Sequence, residues 1–320
     1  MKSFASCLCC ILSLTASATE WKIMSYNICH CTNNYRYAVT DANVQNTARV
    51  IAAEEPDFAC LQEVDKETAR SDGIDQAARL AELLTEATGT RYYGTFGKGR
   101  DYQGGEFGVA IISKQQPLSM TNVAIPEGSE PRSLLICEFA DFYVATVHLD
   151  TDTTYRATSL SIVKAALSQL SKPVFITGDW NDTPSSATLA VMGDFVKVIS
   201  PTSGVVTYGS KIIDYIAVDK ATLDDLFVRT YVVPEETKAS DHSPIVTVVE
   251  FGASTFFQSG WPTANPRSPY ATAGGKLDTG AFTSFTSADP LLARYRTVRA
   301  TSGGNLCSEA QSGGLLIIIK

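Results

Sequence analysis

Ser240-Asp241-His242-Ser243-Pro244-Ile245-Val246-Thr247-Val248-Val249 places an acid and an imidazole immediately before a closing β-branched run. The same arrangement recurs backward along the chain. Asp214 lies in Ile213-Asp214-Tyr215-Ile216, and Asp179 and Asn181 lie in Ile176-Thr177-Gly178-Asp179-Trp180-Asn181-Asp182. His148 closes the run over residues 142–147, Glu63 the run over 58–62, and Asn27 the run over 21–26. Such runs have the composition of half-buried or buried strands. In each, an acidic, amide or imidazole side chain stands at or near the strand end. Six ends converging on one surface would make a pocket of hard oxygen donors and two imidazoles. That chemistry suits a divalent cation and a phosphate.

Between these ends the periodicity alternates. Residues 43–54 carry Val44, Ala48, Ile51 and Ala52 at helical spacing, with Pro56 just beyond. Residues 74–88 repeat Ala77, Leu80, Ala81 and Leu84, and Gly89 is a suitable stop. Strands are expected at 92–96, 107–113, 133–139 and 142–148, the last two joined by a hairpin at Ala140-Asp141. A third helix is expected over 154–170, followed by strands at 174–177, 212–218, 227–233 and 245–251. Helices alternate with strands early and hairpins dominate later. The expected class is α/β, a four-layer sandwich of two packed mixed sheets flanked by helices.

With 320 residues, 44% of them hydrophobic, the chain can bury one large core, and no linker interrupts residues 21–249. A formal net charge of −8 argues against tight non-specific duplex binding, which needs a basic footprint. It leaves room for an enzyme acting on small or short phosphorylated substrates.

Lys2, the apolar stretch 4–14 and Ala16-Ser17-Ala18 read as a secretory signal, residues 1–18, with export to the periplasm or the exterior expected. The stretch is too short for a permanent membrane span. Of the five cysteines beyond it, Cys60 and Cys137 lie inside apolar runs and read as buried small hydrophobes. Cys29-His30-Cys31 invites a metal reading, but no second ligand pair follows at zinc-site spacing. The catalytic unit is expected to span 19–251. Residues 252–320, rich in Ser, Thr, Gly, Ala and Pro, read as a low-complexity, weakly structured extension, with a small β-module as the alternative.

Taken singly, each polar strand end has an ordinary explanation. Gly178 to Pro184 could be a turn, Glu63 a solvated carboxylate, and His148 a hydrogen-bonded core imidazole. Their joint order is more specific. Tyr26-Asn27, Gln62-Glu63, His148-Leu149, Gly178-Asp179-Trp180-Asn181, Asp214-Tyr215 and Ser240-Asp241-His242 together resemble the endonuclease/exonuclease/phosphatase, DNase I-like, superfamily over residues 21–250. Arg70-Ser71, Asp101 to Gly105 and Pro131-Arg132-Ser133 are similar to its compact secreted bacterial members.

That resemblance implies the DNase I-like sandwich and a metal-dependent phosphoric ester hydrolase. It makes Glu63 the principal ligand of Mg²⁺ or Mn²⁺, with Asn27 and Asp241 close by. It makes Asp179 and Asn181 the pair positioning the attacking water and a phosphate oxygen. His242, oriented by Asp214, becomes the second catalytic imidazole, and His148 a donor to a non-bridging oxygen. Arg132, and more weakly Tyr102, are implied as substrate contacts. Relatives often carry a glycine shortly after the first-strand Asn, where this chain has Cys29-His30-Cys31, so His30 is placed to reach the pocket. A phosphorylated small molecule, a lipid headgroup or a nucleic acid remains open as substrate for an expected monomer. The alternatives are a nuclease of the same fold and a catalytically silent binding protein. Glu63, Asp179, Asn181, Asp241 and His242 together argue against silence, which has no chemical need of all five.

Overall fold

The structure is a computed structural model. Its described residues are 19–32, 39–126, 128, 130–219, 227–233, 239–251, 295–300, 306–310 and 317–319. In chain order the elements are β1 (Thr19–Asn27), α1 (Asp41–Glu54), β2 (Phe58–Lys66), α2 (Gln76–Thr88), β3 (Tyr93–Tyr102) and β4 (Gly105–Ser113). There follow β5 (Ser119–Ile125), β6 (Arg132–Glu138), β7 (Tyr143–His148), α3 (Thr153–Leu167), β8 (Val174–Asp179) and α4 (Ala187–Met192). The domain closes with β9 (Val196–Val198), β10 (Asp214–Asp219), β11 (Phe227–Val232) and β12 (Ile245–Phe251).

These strands form two six-stranded sheets, ordered β11-β12-β1-β2-β4-β3 and β5-β6-β7-β8-β10-β9. Each is mixed, with one parallel pair at its centre: β1 with β2, and β7 with β8. Three apolar clusters stack the layers. Ile23, Phe58, Cys60 and Ile111 meet Leu135, Val144, Phe175 and Ile216 between the sheets. Val44, Ile51, Leu80 and Leu84 seat α1 and α2 on the outside of the first sheet. Leu160, Val163, Leu189 and Met192 seat α3 and α4 on the outside of the second. This is the expected four-layer sandwich. Cys60 and Cys137 are fully buried in the inter-sheet core.

Local sequence explains the helix limits. Asp75 caps α2 by accepting from the Ala78 amide at 3.0 Å, and Gly89, at φ 73°, closes it through Thr85. Three elements lie outside the sequence expectation: β5, α4 and β9. The first four residues of β5 are exposed, so its apolar alternation is weak, and it is an edge strand. The other two, at six and three residues, are too short to show a period.

No helix among the described residues is long and apolar enough to cross a membrane. The signal-segment reading of 1–18 falls outside the described residues, as does most of the extension read over 252–320. Within that extension β13 (Tyr295–Ala300), β14 (Leu306–Ala310) and β15 (Ile317–Ile319) pair as an antiparallel three-stranded sheet.

Candidate active site

Strand register assembles the site. His148 at the end of β7 pairs with Asp179 at the end of β8, and Asp179 pairs with Asp214 at the start of β10. Adjacent strands lie about 4.8 Å apart, so the three side chains are delivered side by side by the backbone ladder. Gly178, within β8, lets the β7 backbone approach closely just before Asp179. Its φ is 154°, and a Cβ there would sit 2.0 Å from the Val147 carbonyl oxygen.

The first sheet contributes the facing half. Asn27 ends β1 and pairs with Gln62 on β2. The next residue, Glu63, is the extra residue of a β-bulge against β4, with φ at 56°. Bulges of this kind re-aim a side chain. Here the carboxylate accepts from Asn27 Nδ2 at 3.0 Å, and the same amide donates to Asp179 Oδ2 at 3.1 Å, tying one sheet to the other. His242 arrives just before β12. The preceding turn is pinned by the Ser240 hydroxyl, which donates to the Asn27 carbonyl at 2.7 Å.

Asp179 sits between two imidazoles. Its Oδ2 is 3.4 Å from His148 Nε2 and 3.7 Å from His242 Nε2, while its Oδ1 accepts from the Asn181 amide at 2.9 Å. Behind His242, the two oxygens of Asp214 lie 2.9 and 3.2 Å from Nδ1, which therefore carries a proton. Behind His148, Arg132 Nη1 donates to Nδ1 at 2.8 Å. A guanidinium cannot accept, so the neutral His148 ring carries its proton on Nε2. Asn181 Nδ2, 3.0 Å from that Nε2, donates to the Leu149 carbonyl at 2.9 Å. Two donors thus stand side by side at the site.

Burial and neighbouring charge bias each group. Burial, followed by the Arg132 charge, holds His148 well below the usual imidazole range, so it is neutral at pH 7. Burial would also lower His242, but the Asp214 charge and hydrogen bond outweigh it and raise it. Burial raises the Asp179 carboxyl above its usual range, and the Asp214 charge adds to that. Burial would raise Glu63 too, yet the neighbouring His30 imidazole and the Asn27 hydrogen bond hold it far below the ordinary carboxylate range.

All the sequence-expected residues except Tyr102 gather in this cluster or at its rim. Asp241 is exposed, and acts electrostatically on both Cys29 and His242. Arg132, expected to meet substrate, is instead buried, with Nη1 on His148 and Nη2 3.2 Å from Glu130 Oε2. Tyr102 lies between the guanidiniums of Arg70 and Arg100, 4.5 and 4.6 Å from its ring centroid. Tyr208 was not anticipated. Its half-exposed ring stacks on His242 at 4.6 Å, from a loop without any strand or helix period.

Two groups could each bring three ligand atoms within 4.8 Å of one another: Asp179, Asp214 and His242, and Cys29, His30 and Glu63. Glu63, Asn27 and the nearby Asp241 are oxygen donors, a set that fits a hard cation such as Mg²⁺ or Mn²⁺.

A sequence profile described as the endonuclease/exonuclease/phosphatase family matches residues 24–242, which span every one of these groups. The chain belongs to that family. No individually curated protein matches it. Solved structures of the family share its fold at low identity. One is an endonuclease/exonuclease/phosphatase from Beutenbergia cavernae, 20% identical, with a TM-score of 0.58, covering 92% of this chain and 82% of its own. A family protein from Leptotrichia buccalis is 18% identical, with a TM-score of 0.58, over 72% of this chain and all of its own. A mannosyl-6-phosphatase from Bacteroides thetaiotaomicron is 16% identical, with a TM-score of 0.53, again over 72% and 100%. This family member therefore carries the family fold, with its site residues gathered where the two sheets meet.

Proposed function

We propose that the protein is an exported, divalent-metal-dependent phosphoric ester hydrolase, cleaving a phosphomonoester or phosphodiester by in-line attack of water. The observation that carries this reading is the buried Asp179 carboxylate held between two imidazoles, each fixed from behind by an ionic partner, Asp214 or Arg132. A silent binding protein has no use for that degree of orientation.

Asp179 and Asn181 orient the attacking water. Asp179 Oδ2 takes its proton, and the charged His242 ring, its Nε2 3.7 Å away, balances the carboxylate. His148 Nε2–H and Asn181 Nδ2 donate to a non-bridging phosphoryl oxygen, as preorganised donors should where charge develops. Asp214 keeps the His242 ring aimed, and Arg132 does the same for His148. Glu63, Asn27 and Asp241 would hold a Mg²⁺ or Mn²⁺, which would supply charge neutralisation on the phosphoryl and leaving oxygens.

The acidic chain and the lack of Lys/Arg runs favour a small phosphorylated compound or a headgroup over a long nucleic acid. Export rests on the reading of residues 1–18, and N-terminal sequencing of protein recovered outside the cytoplasm tests it. For the activity, hydrolysis of p-nitrophenyl phosphate, bis-p-nitrophenyl phosphate, DNA and phospholipid is compared with and without chelator. Chelator-sensitive turnover of one ester is expected. Inertness towards all four, with Mg²⁺ and Mn²⁺ present, would sink the proposal.

A further inference from the structure

The turn after β1 departs from ordinary backbone. Cys29, His30 and Cys31 have φ values of 46°, 41° and 61°, three successive left-handed residues and none of them glycine. Such conformations are strained for residues with a side chain and persist only where surrounding contacts impose them. Those contacts are present. The Cys29 amide donates to Asn27 Oδ1 at 3.0 Å, the Cys31 amide to the Ile28 carbonyl at 2.8 Å, and Gln76 Nε2 to the His30 carbonyl at 2.8 Å. The strained turn carries Cys29 and His30 to the rim of the site, against Glu63, itself a left-handed bulge residue.

His30 Nδ1 is buried and makes no hydrogen bond, and it faces Glu63 Oε2 across 3.7 Å. That separation is close to the edge of a tetrahedral ligand set with bonds of about 2.0–2.1 Å. The other carboxylate oxygen, Oε1, is the one turned to Asn27. One carboxylate therefore has two different faces. One accepts a hydrogen bond from the Asn27 amide nitrogen, the other looks towards a thiol and an imidazole.

We infer that Cys29 Sγ, His30 Nδ1 and Glu63 Oε2 form a binding site for a borderline-soft divalent metal, Zn²⁺ or Co²⁺, with a fourth position open. Thiolate and imidazole select such ions over Mg²⁺, and three protein ligands with one open position is the arrangement of reactive rather than purely structural zinc. On coordination the Cys29 thiol loses its proton to solvent and the Sγ–metal bond forms, with no change of oxidation state. The inference goes beyond the hydrolase reading, because it concerns which ions the chain holds and is tested without turnover.

The test is a Co²⁺ titration of the chelator-treated, reduced full-length chain, followed by absorption spectroscopy. Expected is an intense near-ultraviolet thiolate-to-cobalt band that saturates at one ion per chain, is displaced by Zn²⁺ and survives excess Mg²⁺. Cys29→Ser should abolish the band, and His30→Ala should weaken cobalt binding at least about tenfold. Circular dichroism confirms that both variants fold, and Cys31→Ser, folded by the same criterion, should keep the band. Cobalt bound without the band, a band unchanged in Cys29→Ser, or a band removed by Mg²⁺ would overturn the assignment.

Discussion

Arg132 donates from Nη1 to Nδ1 of His148 at 2.8 Å, and both side chains are buried. The contact fixes a tautomer that covalent structure leaves free, because only the Nε2–H form of a neutral imidazole can accept at Nδ1. In the proposed mechanism Arg132 therefore acts on phosphate only through His148.

Removing that donor should misorient the ring. Arg132→Ala is expected to lower kcat about 10–100-fold with little change in KM, the range for loss of a partner that orients a site imidazole. Arg132→Lys, which still donates, should recover part of the loss. Nitrogen-15 NMR of His148 should show the Nε2–H tautomer in the parent and a mixture in Arg132→Ala. A rise in KM alone would instead make Arg132 a direct substrate contact.

Asp179 and His242 are 3.7 Å apart and act on the same step in the proposed mechanism, so their effects should not add. Asp179→Asn and His242→Ala should each lower kcat about 10²–10⁴-fold. The double variant should be scarcely worse than the weaker single. Multiplied losses would mean that the two act in separate steps.

Glu63 is the proposed centre of the hard-cation site. Chelation should abolish hydrolysis, and Glu63→Gln should raise the Mg²⁺ concentration needed for half-maximal rate while leaving the melting temperature nearly unchanged. Full turnover in excess chelator would remove the metal from the mechanism.

Gly178 tests the backbone argument. A methyl group there would meet the Val147 carbonyl, at a φ of 154°. Gly178→Ala should therefore destabilise the fold by at least about 1–3 kcal/mol, read as a lower midpoint in urea. An unchanged midpoint would show that β7 and β8 can part at little cost.

Both six-stranded sheets and every candidate site residue lie within residues 19–251. A chain ending at residue 251 should fold and turn over substrate like the full chain, and limited proteolysis should trim towards that core. Loss of folding on truncation would make the remaining residues part of the domain.

Much of this arrangement was legible in sequence for a specific reason. Asn27, His148, Asp179 and Asp214 each terminate or start a strand whose apolar content is plain, so pattern and position coincide, whereas Glu63, expected at a strand end, lies inside β2, which runs on to Lys66. The partnership of Arg132 with His148 was not legible, because it depends on the register of β6 beside β7, which no local pattern encodes. Tyr208 was hidden similarly: its stacking on His242 spans a loop and a chain reversal. The bulge at Glu63 left no mark either, since one extra residue does not interrupt an apolar run that is buried on both faces.

The Asn27 amide spans the seam between the sheets, with one hydrogen on Glu63 and the other on Asp179. The separation of the two halves of the site is therefore gauged by the aromatic packing between the sheets, where Phe58, Phe142 and Phe175 meet. Reaction geometry in this protein is in effect a read-out of inter-sheet spacing. A thinned core at Phe175 would be felt as a change in turnover before it was felt as unfolding.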